Sequence, residues 1–168
     1  MKRILIYSFF FSGFLILGSC KKYVEVDPPR TSLNDELVFT DDKTAESSLV
    51  GVYSSMNGFS SSFANTQANF YPSMSADDFQ TATVNVTADE FKQNALTSSN
   101  GVITGLWSQP YSLIYHVNAV IEGLAKSTTV SEAKSKQLTA EAKFLRAFYY
   151  FYLVNYFGDV PLVLNTDF

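Results

Sequence analysis

Between Phe144 and Phe157, eight of fourteen residues are aromatic, and neither Gly nor Pro interrupts them. A fully exposed surface of that composition would aggregate or mark a binding patch, so the run needs cover on most sides. The rest of the chain is therefore constrained to supply packing partners. Leu138, Ala142, Leu145, Tyr149, Tyr152 and Tyr156 fall on one face at helical spacing. Phe144, Phe148, Phe151 and Asn155 make a second face beside it. Two apolar faces predict a helix sandwiched between neighbours. Thr129 followed by Glu132 predicts a capping box at its start. Gly158 with Pro161 beyond predicts its end, and VPLVL reads as a short extended segment.

The other end of the chain reads as targeting. Lys2 and Arg3 precede an apolar stretch from Ile4 to Leu17, and Leu17-Gly18-Ser19-Cys20 closes it. That stretch is shorter than a membrane span needs and has the layout of a secretory signal. Cys20 is the only cysteine, so an internal disulfide is excluded and a metal site is disfavoured. A Leu three residues before a Cys resembles the bacterial lipobox, in which the Cys becomes an acylated (palmitate-bearing) N-terminus. The expected organisation is a signal peptide over 1–19, a lipidated Cys20 with a tether over 20–38, and a helical domain over 39–168. Pro28 and Pro29 keep the tether extended. Without Lys2 and Arg3, ten basic residues face sixteen acidic ones, a formal charge of −6. That balance argues against a nucleic-acid partner.

Between these ends, Phe39 to Met56 reads as a helix capped by Thr40 or Asp41, with Ala45, Leu49, Val52 or Tyr53, and Met56 inward. Leu106 to Ala125 reads as another, with Pro110 tolerated in its first turn. The short link 126–130 lets this helix and the aromatic one pack as an antiparallel hairpin. Gly58 to Ser99 shows no sustained period. It suggests a short extended piece and an acidic turn in NFYPSMSADDF, and a helical turn around Phe91. A long irregular connection inside a domain is usually functional, so ligand contacts are expected there.

The candidate side chains divide accordingly. Asp77, Asp78, Phe79 and Phe91 lie in the irregular region and are the expected ligand contacts, against the plainer reading of a solvated turn and loop anchors. Adjacent carboxylates rarely face each other across a scissile bond, and the region has no EF-hand spacing. Trp107 and Asn118 fall on the apolar stripe of a helix and read as structural, Asn118 satisfying a buried polar group. Arg146, flanked by apolar residues, also reads as structural and calls for a carboxylate partner. His116 is the only histidine and has no nucleophile or metal-ligand pattern around it. No catalytic residue, cofactor or metal site is expected.

The order of CKKYVEVDPP, TAESSLVGVYSSM, LWSQPYSLIYHVNAVIEGL and EAKFLRAFYYFYLVNYFGDVPLV resembles the SusD/RagB family of nutrient-binding outer-membrane lipoproteins, and this similarity covers nearly the whole chain. The resemblance implies a mainly α fold of tetratricopeptide-like helix pairs with long loops. It implies a lipoprotein at the outer face of the outer membrane that captures oligosaccharides and passes them to a TonB-dependent, SusC-like transporter, without catalysis. The alternative is a helical scaffold on the transporter that binds no ligand itself. Family members are much longer than 168 residues, so the chain is expected to be the N-terminal part of such a protein.

Overall fold

In the computed structural model, residues 38–58 and 62–167 are described, and all belong to one compact unit. Five α-helices lie wholly within the described residues, in order α1 (Asp42–Met56), α2 (Phe70–Ser75), α3 (Val86–Lys92), α4 (Gly101–Lys126) and α5 (Glu132–Phe157). A π-helical turn, Phe63–Gln67, precedes α2. No strand occurs among the described residues, so the fold is mainly α as expected. The expected signal segment, Cys20 and most of the tether lie outside the described residues.

The α4–α5 hairpin is the frame. Trp107 meets Phe157, Tyr111 meets Tyr150, and Asn118 meets Arg146, a descending order that makes the two 26-residue helices antiparallel. Val117 and Leu124 of α4, and Leu138, Ala142, Leu145, Tyr149 and Leu153 of α5, are buried between them and their neighbours. Each such large apolar side chain contributes roughly 1.5–3 kcal/mol when fully buried.

The first helix lies along this frame: Asp42, Glu46 and Tyr53 meet Ser131, Lys134 and Glu141 in the same order. Asp41 caps α1 by accepting from the amides of Lys43 and Thr44 at 2.8 and 2.9 Å. Ala45, Leu49 and Val52 turn inward at helical spacing. Polar contacts lock its start to the hairpin loop. Asp42 accepts from the Ser131 amide at 2.7 Å and from its hydroxyl at 2.6 Å. Ser127 Oγ donates to the Phe39 carbonyl at 2.7 Å. The Phe39 ring covers Gly123 so closely that a Cβ there would run into it.

Several local expectations are corrected. The cap of α5 is Ser131, whose Oγ accepts from the Lys134 amide; Thr129 instead donates to the Phe39 carbonyl. Helix α4 begins at Gly101, capped by Asn100. Pro110 is therefore its tenth residue, deep in the helix, where its missing N–H leaves the Leu106 carbonyl without a helical donor. In the irregular region the Phe70–Ser75 stretch is helical, not extended. The second face of α5 is not sandwiched: Phe144 is 67% and Phe151 62% exposed.

Candidate functional site

The irregular region folds into a small lobe that packs rings in series. Phe79 lies against Phe70 (centroids 6.0 Å), Phe70 against Tyr71 (5.3 Å), and Tyr71 against Phe91 (5.2 Å). Ser75 Oγ donates to the Phe91 carbonyl at 3.0 Å and Asn94 Nδ2 to the Ser75 carbonyl at 3.3 Å, which ties α2 to α3. Glu90 fastens α3 to the start of α4. Its Oε2 accepts from Asn100 Nδ2 at 2.9 Å and from the amide and hydroxyl of Thr97, both at 3.0 Å. These hydrogen bonds, that of Asn100 first, hold its carboxyl below the usual range.

Within this lobe the four expected ligand residues part company. Asp77 and Asp78 are exposed in the turn after α2, and Asp77 takes a left-handed conformation with φ 63°. That conformation costs an ordinary side chain more than Asp or Asn, whose short polar groups tolerate it. Phe79 is 52% exposed and backed by Phe70, so it offers an aromatic surface held from behind. Phe91 is only 4% exposed; its ring has little free face and supports Tyr71. It also forms one wall of an apolar groove of about 370 Å³, with Leu96, Ile103, Leu106, Tyr156 and Phe157 among the others. Tyr156 closes the base by donating to the Ala68 carbonyl at 2.7 Å. Burial pushes its hydroxyl pKa up to about 12, so the group is a neutral donor at ordinary pH.

Trp107, Asn118 and Arg146 lie on the hairpin. Trp107 is edge-on to Phe157 at 5.1 Å and tilted against Tyr111 at 5.1 Å, with 39% of its surface open. Asn118 is fully buried, and its Nδ2 donates to the carbonyls of Val163 and Asn165 at 3.2 and 3.1 Å. Arg146 forms no ion pair among the described residues. In place of the expected carboxylate, its Nη1 donates to Asn118 Oδ1 at 2.8 Å and to the Leu164 carbonyl at 3.3 Å.

Sequence reasoning anticipated the extended segment these two residues serve, but not its docking on the hairpin. The chain after α5 turns at Gly158, where φ is 76°, and runs back along the hairpin as an extended strap. Tyr111 donates to the Pro161 carbonyl at 2.8 Å, and Tyr150 both accepts from the Val163 amide and donates to its carbonyl. Glu122 receives the amide and hydroxyl of Thr166, both at 2.8 Å. Alternating polar positions at this spacing on α4 (Tyr111, Asn118, Glu122) were the available signal.

Chemically, this arrangement offers aromatic surface, neutral hydrogen-bonding groups and scattered carboxylates. Among the described residues, no three His, Cys, Asp or Glu side chains gather to hold a cation. No described helix is long and apolar enough to cross a membrane.

Comparison with known proteins places this fold. A SusD-like family model described as "Starch-binding associating with outer membrane" matches residues 22–168. A SusD-like protein of Formosa agariphila is 25% identical over 96% of this chain and 31% of its own length. Another from the same organism is 34% identical over 44% of the chain and 14% of its own length. A SusD-like protein of Bacteroides ovatus is 32% identical over 46% of the chain and 15% of its own length. No solved structure matches. The chain belongs to the SusD-like family, and it spans less than a third of the length of these relatives.

Proposed function

We propose that this chain is part of a cell-surface lipoprotein that binds nutrient oligosaccharides at the outer membrane and delivers them to a TonB-dependent transporter. The observation that carries this reading is the family match over residues 22–168, whose description joins starch binding to outer-membrane association. Residues 1–19 would act as the signal peptide and 20–38 as the lipidated tether, with Cys20 acylated and the domain from residue 39 facing the exterior. In the lobe, Phe79 would stack on a sugar ring, Asp77 and Asp78 would accept from hydroxyls, and Phe91 would hold the platform from beneath. Binding would proceed without turnover, and nothing in the proposed contacts calls for a cofactor.

The test is glycan-array binding by the native protein extracted from outer membranes, alongside Phe79→Ala. An oligosaccharide bound by the native form and weakened by the variant supports the reading. Binding that the variant leaves unchanged removes Phe79 from the site. The intact mass of the same preparation reports acylation at Cys20, and its absence removes the anchor.

One observation favours a second reading, a scaffold that contacts the transporter without holding ligand. Phe91 is buried, and the groove beside it is lined almost entirely by apolar side chains. Retained transporter association with no glycan bound by the native protein would select the scaffold.

A further inference from the structure

One face of α5 changes character halfway along. Over its first half it is solvated and satisfied within the chain. Lys134 reaches Glu46 of α1 at 3.3 Å, and Gln137 donates to Glu141 at 2.9 Å. From residue 144 the same stripe turns aromatic: Phe144, Phe148 and Phe151 follow at i, i+4 and i+7. Phe144 and Phe151 are mostly exposed, while Phe148 is half-buried against Tyr149 and Tyr152. Beside them, Tyr53 and Met56 of α1, together with Ala64, border an open groove of about 360 Å³.

Single exposed apolar residues are ordinary, but three phenylalanines in register beside a groove form a contiguous patch of the kind that marks an interface. A ridge at this spacing next to the groove between two helices is the surface that a third helix packs into. Among the neighbouring polar groups Tyr53 already bonds Glu141 and Asn155 the Phe151 carbonyl, so the face an occupant meets is mainly apolar. The two relatives matched along nearly the whole of this chain are covered over 31% and 29% of their own lengths, so most of each such protein lies outside the match.

We propose that the Phe144–Phe148–Phe151 face docks a further helix of the same polypeptide, drawn from the part of a SusD-like protein that lies outside the matched third. The occupant presents apolar residues at helical spacing to these rings and into the groove beside Tyr53. This inference does not depend on the ligand reading above.

The test uses the whole natural gene product, with photoreactive benzoylphenylalanine placed at Phe151 and, separately, at Phe144. After irradiation the linked peptides are mapped. The expected result is a link within one polypeptide, from each site to residues beyond 168 that are three or four apart. A link to a second copy, to another protein, to lipid or to residues 38–167 overturns the proposal. So does no link at all, or an intact mass showing that the product ends at Phe168. Phe151→Ser in the same protein gives a second readout: a docked face predicts a lower Tm, whereas an unchanged Tm counts against docking.

Discussion

Arg146 donates through Nη1 to Asn118 Oδ1 at 2.8 Å, and from that junction the two side chains divide three consecutive carbonyls of the strap between them. Asn118 takes Val163 and Asn165, and Arg146 takes Leu164. A buried amide and a half-buried guanidinium thus do for this extended segment what a neighbouring strand does in a sheet. The backbone groups find partners without a ladder, which satisfies the requirement that polar groups near the interior be paired.

Asn118→Ala removes both donors to the strap and leaves Arg146 with the Leu164 carbonyl alone. Net losses of about 1 kcal/mol per neutral hydrogen bond, and somewhat more for the bond to the cation, predict a destabilisation of about 2–4 kcal/mol. Denaturant unfolding measures it. Hydrogen exchange at the Val163 amide should accelerate as the strap loosens. A variant as stable as the parent would mean that the strap contributes nothing to the fold.

The hairpin was legible because its helices are long and periodic, and because Gly158 and Pro161 punctuate the end of α5. The extended run of VPLVL was legible too, but its docking was not, because each of its partners lies 13 to 50 residues away in sequence. The early start of α4 was hidden by the poor helix formers of GVITG, which buried Asn100 overrides by capping the helix and accepting from the Val102 amide at 3.0 Å. Short helices such as Phe70–Ser75 hold too few turns for a period to register. In the candidate site, sequence did not distinguish exposed Phe79 from buried Phe91, since neither lies in a pattern that fixes its direction.

Gly123 lets the Phe39 ring lie close against α4. A methyl group added there meets the Phe39 ring, so Gly123→Ala must displace Phe39 from α4. Overpacking of this kind costs about 1–3 kcal/mol, offset in part by the better helix propensity of Ala. Because the Phe39 carbonyl also accepts from Ser127 and Thr129, the hairpin loop should loosen with it. A double-mutant cycle with Phe39→Ala checks the mechanism: the cost of Gly123→Ala should vanish once the ring is gone.

Three carboxylates that join distant segments set the acid limit. Hydrogen bonds from Thr166 hold Glu122 below its ordinary 4.5, those from Asn100 and Thr97 do so for Glu90, and those from Ser131 hold Asp42 below 3.8. A carboxylate with a lowered folded-state pKa stabilises the fold above its ordinary value, and that stabilisation is lost as pH falls through the ordinary value towards the folded one. Tm should therefore be level from neutral pH towards 5 and decline below about 4.5. Glu122→Gln should lower Tm at neutral pH and make the acid decline shallower; a decline as steep as the parent's would remove Glu122 from the account.

Tyr149 gives the opposite kind of prediction, a deletion that helps. Its ring is fully buried on α5 and meets Phe63 of the π-helical turn at 6.1 Å, which fastens the small lobe to the hairpin. Its hydroxyl has no hydrogen-bond partner among the described residues. Burial, and after it the neighbouring Tyr53, pushes its pKa up. An unpaired buried hydroxyl carries a desolvation cost of about 1–3 kcal/mol, while the apolar ring supplies the packing. Tyr149→Phe keeps the ring and removes the cost, so stability should hold or rise by about 1 kcal/mol. Tyr156→Phe is the control: it removes the bond to the Ala68 carbonyl and should lose about 1 kcal/mol. Above pH 10 the two should also differ from the parent. A raised folded-state pKa means that the unfolded chain ionises first, so stability falls as pH climbs from 10 towards 12. Each Phe variant should soften that alkaline loss, and chemical denaturation at pH 7 and pH 11 reads both effects. A Tyr149→Phe protein that is clearly weaker at pH 7 would place a hydrogen-bond partner at that hydroxyl and reverse the assignment.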